Sequence, residues 1–315
     1  MLKVAREALA HEAQGAPCTL VLVARTSGST PRHSGASMLV GKQGRISGTI
    51  GGGAVELTVT NQASEMCEGT QSATVTHHLV RDLAMCCGGS MTFLMLPVSF
   101  FRSAIEKLIE VSEEEERTLS INLMTGESEF SQVSASSLPV EASETHVKLT
   151  VKPRPRLIIF GAGHVGSALS QLGNSTSFQV VVCDDDQTGA LASWEHSGDR
   201  LVSSFNVSDV AGEIGGFKPS DYVVILTRDH ATDQRILESM MQYLGTVAYL
   251  GVIGSRGKLA RFKQRLVLRG KASEESWAQV RGPIGLDIGA ETPNEIAVSV
   301  TAELISVRAK RRPQK

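Results

Sequence analysis

The stretch RLIIFGAGHVG, residues 156–166, decides the fold of half the chain. Leu157 to Phe160 form an apolar run too short for a helix and suited to a strand buried on both faces. Gly161, Gly163 and Gly166 follow with the spacing G-x-G-x-x-G, and SALSQLG then reads as the first turns of a helix. The first glycine permits a tight turn, the second lets a phosphate approach the backbone, and the third lets helix and strand pack closely. Backbone N–H groups at such a helix start attract an anion. Asp184 lies 23 positions beyond Gly161, just past a second strand-like run, FQVVVC (178–183). That is near the roughly 20-residue spacing of an acid that binds ribose.

Strand-like runs recur at RLVSS (200–204), YVVILT (222–227) and TVAYLGVIG (246–254), with helix-like segments between them. This alternation predicts a parallel, Rossmann-like α/β sheet with helices on both faces. A last helix begins where Thr292 caps, Pro293 occupies the first position and Glu295 completes a capping box. Ile296, Val300, Leu304 and Val307 then form its inward stripe. Ligands of such sheets bind beyond the carboxyl ends of the strands. His164, His230, Asp229, Arg256 and Glu291 are therefore expected around one crevice. The alternative makes them turn and cap residues, with Asp229 and Ser255 as N-caps.

Toward the N-terminus, KPRPR (152–156) favours extended backbone. The residues before it are rich in Ser and Glu, and 126–153 is expected to be a linker. It joins a C-terminal domain, 154–315, to a smaller N-terminal α+β domain, 1–125. That domain opens with an amphipathic helix whose Leu2, Ala5, Leu9 and Ala13 share a side. It carries three glycine loops: Gly28-Ser-Thr-Pro31-Arg32, Gly51-Gly52-Gly53 and Cys86-Cys87-Gly88-Gly89. The triplet offers backbone N–H groups to an oxyanion or phosphate, or is simply a sharp turn. The thiols suit a soft metal or sulfur chemistry, or are buried and structural. The run Glu113 to Glu116 reads as a solvated helix end, and RAKRRPQK (308–315) as helix-terminal cations with a frayed tail.

Composition narrows the partners. In 315 residues, 31 Lys and Arg face 33 Asp and Glu, a formal charge of −2, and aromatic residues make up 4%. Bulk charge and stacking platforms for nucleic acid are both lacking. No stretch reaches the roughly 18 apolar residues of a membrane span, and the charged N-terminus is no secretory signal. Five cysteines without a CxxC pair indicate neither a disulfide framework nor a zinc site. A reduced, cytoplasmic chain is expected.

Seven motifs occur in order: GSTPR (28–32), GTIGGGAVE (48–56), CGGSMTFLMLP (87–97), IIFGAGHVG (158–166), TRDHATDQ (227–234), LGVIGSRGK (250–258) and PIGLDIGAETPNEIAVSVTAELI (283–305). The set resembles the XdhC/CoxI family, accessory proteins of xanthine dehydrogenase and related molybdenum hydroxylases. The resemblance implies a maturation factor rather than an enzyme. Such a protein binds the molybdenum cofactor, supports exchange of its terminal oxo ligand for sulfur, and assists insertion into the apo-enzyme. It implies as partners the molybdenum-binding subunit of xanthine dehydrogenase and a cysteine desulfurase. Cys87 becomes the candidate metal-contacting or sulfur-handling thiol, with Cys86 as an extra thiol beside it. Gly51, Gly52 and Gly53, with Gly161, Gly163, His164, Gly166, Asp184 and His230, become candidates for holding the cofactor. Ala54 stands where some relatives carry cysteine, and HSGAS (33–37) lacks a lysine often found there.

The rival reading is an NAD(P)-dependent oxidoreductase using the 161–166 loop, with Asp184 favouring NAD and His164 or His230 as the acid-base group. NAD(P) or another nucleotide is thus a second candidate ligand. The oligomeric state stays open, a homodimer included.

Overall fold

The computed structural model describes residues 1–110, 116–131, 139–196 and 198–311. The glutamates 113–115 and the tail 312–315 lie outside that range. The chain divides into two units, Met1–Pro153 and Arg154–Lys315. No helix among the described residues is long and apolar enough to cross a membrane.

The first unit runs α1 (Leu2–Ala13), β1 (Cys18–Ser27), β2 (Ser37–Gly41), β3 (Gly44–Gly48), α2 (Gly53–Glu65), β4 (Ala73–His78), α3 (Leu79–Leu83), β5 (Ser90–Pro97) and α4 (Val98–Glu110). It continues with β6 (Arg117–Asn122), β7 (Ser128–Ser131), β8 (Val140–Ala142) and β9 (His146–Val151). An antiparallel sheet of order β3-β2-β1-β5-β4 sits at its centre. Because successive strand residues face opposite ways, β1 serves two cores. Val21 and Val23 pack with Val55, Val59 and Ala63 of α2. Leu20 and Leu22 pack with Ala5 and Ala8 of α1, Phe101 of α4, and Leu119, Val147 and Leu149 of a second sheet.

That second sheet, of order β7-β6-β9-β8, corrects the expectation of a linker at 126–153. Three of its four strands fall there. In β9 the residues Val147, Leu149 and Val151 point inward while His146 and Lys148 stay exposed. An alternation this short, among serines and glutamates, is easily read as loop. In α1 the inward side centres on Val4, Ala5 and Ala8. Leu2 and Leu9 are only partly covered at its margin.

The second unit runs β10 (Arg156–Phe160), α5 (His164–Ser175), β11 (Gln179–Cys183), β12 (Arg200–Val202), α6 (Val207–Ile214), β13 (Tyr222–Ile225), α7 (His230–Met240), β14 (Tyr249–Val252), α8 (Arg256–Leu268), α9 (Glu274–Trp277) and α10 (Pro293–Lys310). Its five strands are all parallel, in the order β12-β11-β10-β13-β14. Ile158, Phe160, Val181 and Val223 face α6, α7 and α8. Leu157, Ile159, Val180 and Val224 face α5 and α10. This is the expected sheet with helices on both faces. The capping box of α10 is formed, Thr292 Oγ1 accepting from Glu295 N–H and the Glu295 carboxylate from Thr292 N–H. Strand order reverses between β10 and β13, so the loops after them flank the point where doubly wound sheets open a crevice.

Candidate functional site

At the carboxyl edge of the parallel sheet the turn after β10 has the geometry its glycines imply. Gly161 adopts φ +123°, and a Cβ there would stand 2.5 Å from the Leu226 carbonyl oxygen. A Cβ on Gly166 would strike the carbonyl oxygen of Gly161 itself. Gly163 caps α5, is exposed, and has open space where a side chain would be. These are the three roles of a dinucleotide turn.

Asp184 is not presented as a ribose ligand. It is 5% exposed, and its carboxylate accepts hydrogen bonds from Ala162 N–H at 2.9 Å and Asp186 N–H at 3.0 Å. Its carboxylate therefore braces the glycine turn from within. His164 and His230 are the exposed first residues of α5 and α7, so they stand after adjacent strands. Asp229 caps α7 through Thr232 N–H, which with the Thr232 hydroxyl, Ala231 N–H and nearby Arg228 holds its carboxyl below the usual range. Ser255 caps α8 through Lys258 N–H. Arg256 and Glu291 are exposed at the starts of α8 and α10.

Two contacts at this edge are not foreshadowed by the motifs. Lys258 Nζ lies 2.6 Å from Asp233, with side chains 5% and 1% exposed. It also donates to the Ile253 carbonyl, while Asp233 accepts from the N–H and hydroxyl of Thr227. The pair therefore ties the loop after β13 to the loop after β14. Arg228 makes a two-pronged bond to Asp185, at 2.6 and 2.7 Å, and a third bond to Gln187. The lysine of GSRGK and the arginine and second acid of TRDHATD were the available signals. Only the tertiary pairing assigns them partners.

In the first unit all three glycine loops meet at one end of the antiparallel sheet. A Cβ on Gly28 would stand 3.1 Å from the Gly89 backbone, one on Gly51 would stand 2.6 Å from Pro31, and one on Gly53 would stand 3.7 Å from Met85. Gly89 N–H donates to the Ser29 carbonyl and its own carbonyl accepts from Leu79 N–H. The triplet is not an open cradle, however. Glu56, in the first turns of α2, accepts from the Thr49 hydroxyl at 2.6 Å, Ile50 N–H at 3.0 Å and Gly52 N–H at 3.1 Å. Burial by itself raises the Glu56 pKa, but those donors and nearby Arg45 outweigh it and hold the carboxyl below its ordinary range. The protein's own carboxylate occupies part of the place that an external anion was expected to take.

The five thiols divide sharply. Cys18, Cys67 and Cys183 are buried. Burial pushes Cys18 up to about 12, with Cys67 and Glu12 adding to it, and raises the other two. Cys86 is exposed and Cys87 half-buried, the latter against the core beneath α2. Reactive thiols are accessible ones, a condition that Cys86 and Cys87 meet and the three buried cysteines do not. No group of three or more His, Cys, Asp or Glu positioned to hold a metal occurs among the described residues.

Comparison with known proteins matches residues 157–304 to the XdhC Rossmann domain and residues 11–78 to the XdhC and CoxI family. The chain is 28% identical, over 98% of its length, to the uncharacterized protein YqeB of Escherichia coli K12, and spans 46% of that protein. It is 27% identical to a probable subunit of xanthine dehydrogenase from Bacillus subtilis 168, covering 92% of each chain. It is 26% identical to the molybdenum cofactor insertion chaperone PaoD of E. coli K12, covering 98% of this chain and 88% of PaoD. A crystal structure of a xanthine dehydrogenase from Bacillus halodurans superimposes with a TM-score of 0.76 at 22% identity, covering 98% of this chain and 96% of that one. That likeness establishes a shared fold.

Proposed function

The chain belongs to the XdhC/CoxI family, and on that premise we propose that it carries a molybdenum cofactor as cargo. It shelters the cofactor, supports its sulfuration and assists its insertion into xanthine dehydrogenase or a related molybdenum hydroxylase. The names of two relatives, a probable subunit of xanthine dehydrogenase and a cofactor insertion chaperone, support this direction. The observation that carries it is the meeting of the three glycine loops around the chain's accessible thiols, Cys86 and Cys87.

The cargo offers soft sulfur and oxo ligands, a polar pterin and a phosphate. Cys87 would approach the metal, where a thiolate is a good soft ligand. Gly88, exposed with open space where a side chain would stand, leaves the approach clear, while Gly89 packs against the Ser27 and Ser29 carbonyls. Gly51, Gly52 and Gly53 would lie along the polar part of the cargo, with Glu56 fixing their backbone rather than yielding it. His164, Gly163, Asp184 and His230 belong to the other unit and are not needed for the thiol contact. In this reading the partners are the molybdenum-binding subunit of the client and a cysteine desulfurase. The work is done in the cytoplasm, where thiols stay reduced.

Purified protein mixed with molybdenum cofactor should retain it through gel filtration. Cys87→Ala should lower retention at least fivefold, and Cys86→Ala should lower it less. Wild-type protein that retains nothing would overturn the carrier reading. So would a cell lacking the chain that still loads its hydroxylase fully with sulfurated cofactor.

A further inference from the structure

The carboxyl edge of the parallel sheet carries an ion pair that the cargo reading does not use. Arg228 follows β13, Asp185 and Gln187 follow β11, and β10 lies between those strands. The bridge therefore crosses the carboxyl end of β10, in front of the Gly161–Gly166 turn. Arg228 Nη1 also comes within 3.8 Å of Asp184, whose other oxygen holds Ala162 of that turn. The two-pronged contact to Asp185 has the geometry in which a guanidinium binds a phosphate. Beside it lies a cavity of about 370 Å³, with Phe205 and Ile236 as apolar walls and Gln187, Asn206 and Thr232 as polar ones. That volume is in the range of small-molecule sites, and the mixture of walls suits a flat heterocycle.

We propose that this crevice binds a nucleoside diphosphate, its base in the cavity beside Phe205 and its phosphates on Arg228, and that Asp185 is the carboxylate these phosphates displace. The exchange needs side-chain motion only. Thr227 is pinned by Asp233 and Asp229 caps α7, so the backbone on both sides of Arg228 is fixed. The guanidinium trades one anion for another, and the Asp185 side chain, 25% exposed, turns to water. Asp185 opposes binding twice, by holding Arg228 and by repelling the incoming charge. The inference stands apart from the cargo reading, and Cys87→Ala should leave nucleotide binding unchanged.

Calorimetric titration of the full chain with ADP and with pyrophosphate tests it. ADP should bind saturably, and pyrophosphate at least tenfold more weakly. Arg228→Ala should weaken ADP at least tenfold, and Arg228→Lys, which keeps the charge but loses the fork, severalfold. Asp185→Asn should tighten ADP at least threefold. Thermal melts check folding, and Arg228→Lys carries the test should Arg228→Ala unfold. Absence of ADP binding in both the wild type and Asp185→Asn would overturn the proposal. Weakening by Asp185→Asn would do so too, since Asp185 would then be a ligand group. Equal affinity for pyrophosphate would remove the base from the cavity and overturn the assignment.

Discussion

In the first unit the glycine turn closes on Glu56, a carboxylate from its own helix and four residues from Gly52. In the second the turn after β10 closes on Asp184, 22 residues from Ala162 and delivered by the neighbouring strand. The first arrangement assembles as soon as α2 forms. The second exists only once β10 and β11 are paired, because the acid follows the last residue of β11. The second edge is further tied by Lys258 and Asp233, 25 residues apart, whereas among the described residues Glu56 pairs with the half-exposed Arg45 at 3.5 Å. One turn is held locally and by hydrogen bonds; the other is held by tertiary structure and buried charge. Substitutions should therefore affect the two differently.

The largest effect is expected at Lys258. Lys258→Ala strands a carboxylate that is 1% exposed, and breaking a buried pair from one side costs roughly 3–5 kcal/mol. Urea denaturation of the full chain measures it. A loss under about 1 kcal/mol would mean that Thr227 alone satisfies Asp233, and the contrast between the units would weaken.

Glu56→Gln comes next, with a loss of about 2 kcal/mol at neutral pH, the scale of hydrogen bonds made to a charged group. The Glu56 pKa lies below its ordinary 4.5, burial being outweighed by Thr49, Gly52, Ile50 and Arg45. A carboxylate depressed in this way contributes stability that is fully present above its unfolded pKa and disappears as pH falls through the folded value. The wild type and Glu56→Gln should therefore converge as the pH is lowered below about 4. A gap that persists unchanged at pH 2 would show that the loop depends on shape and not on the charge.

The same contrast explains what was legible in the residues. The parallel sheet was, because its strands are buried runs spaced by helices and its glycines sit at fixed offsets from β10. The caps at Asp229, Ser255 and Thr292 were, because capping is decided within four residues. Asp184 was found, yet its direction was not. A carboxylate at that position can face a ribose or the turn behind it, and packing decides. Glu56 was missed although it stands in the motif GTIGGGAVE, since a glycine triplet suggests an absent anion more readily than a present one. The pairings Arg228–Asp185, 43 residues apart, and Lys258–Asp233 leave no periodic trace. Nor did the second sheet of the first unit, whose strands are short and partly polar.

The next effect is expected at Gly52, which has φ +72° and ψ −177° with open space around a Cβ. Gly52→Ala meets no neighbour but must hold a backbone conformation essentially confined to glycine, at a cost of about 1–3 kcal/mol. A thermal melt would register this as a shift of a few degrees. No shift at all would show that the turn relaxes to another conformation while Glu56 keeps its bonds.

The smallest stability change should come from Gly163. Its φ of −73° suits any residue, and no atom lies within 4 Å of where a Cβ would stand, so Gly163→Ala should alter stability by less than about 0.5 kcal/mol. The folded chain therefore gives no reason for glycine there. A ligand does, since a methyl group would stand where a phosphate must approach the backbone. Gly163→Ala should melt as the wild type does and bind ADP at least tenfold more weakly, a separation that Gly166→Ala, with its Cβ against the Gly161 carbonyl, cannot show. If Gly163→Ala bound ADP as the wild type does, the second glycine turn would be, like the first, a turn whose anion is already supplied by the chain.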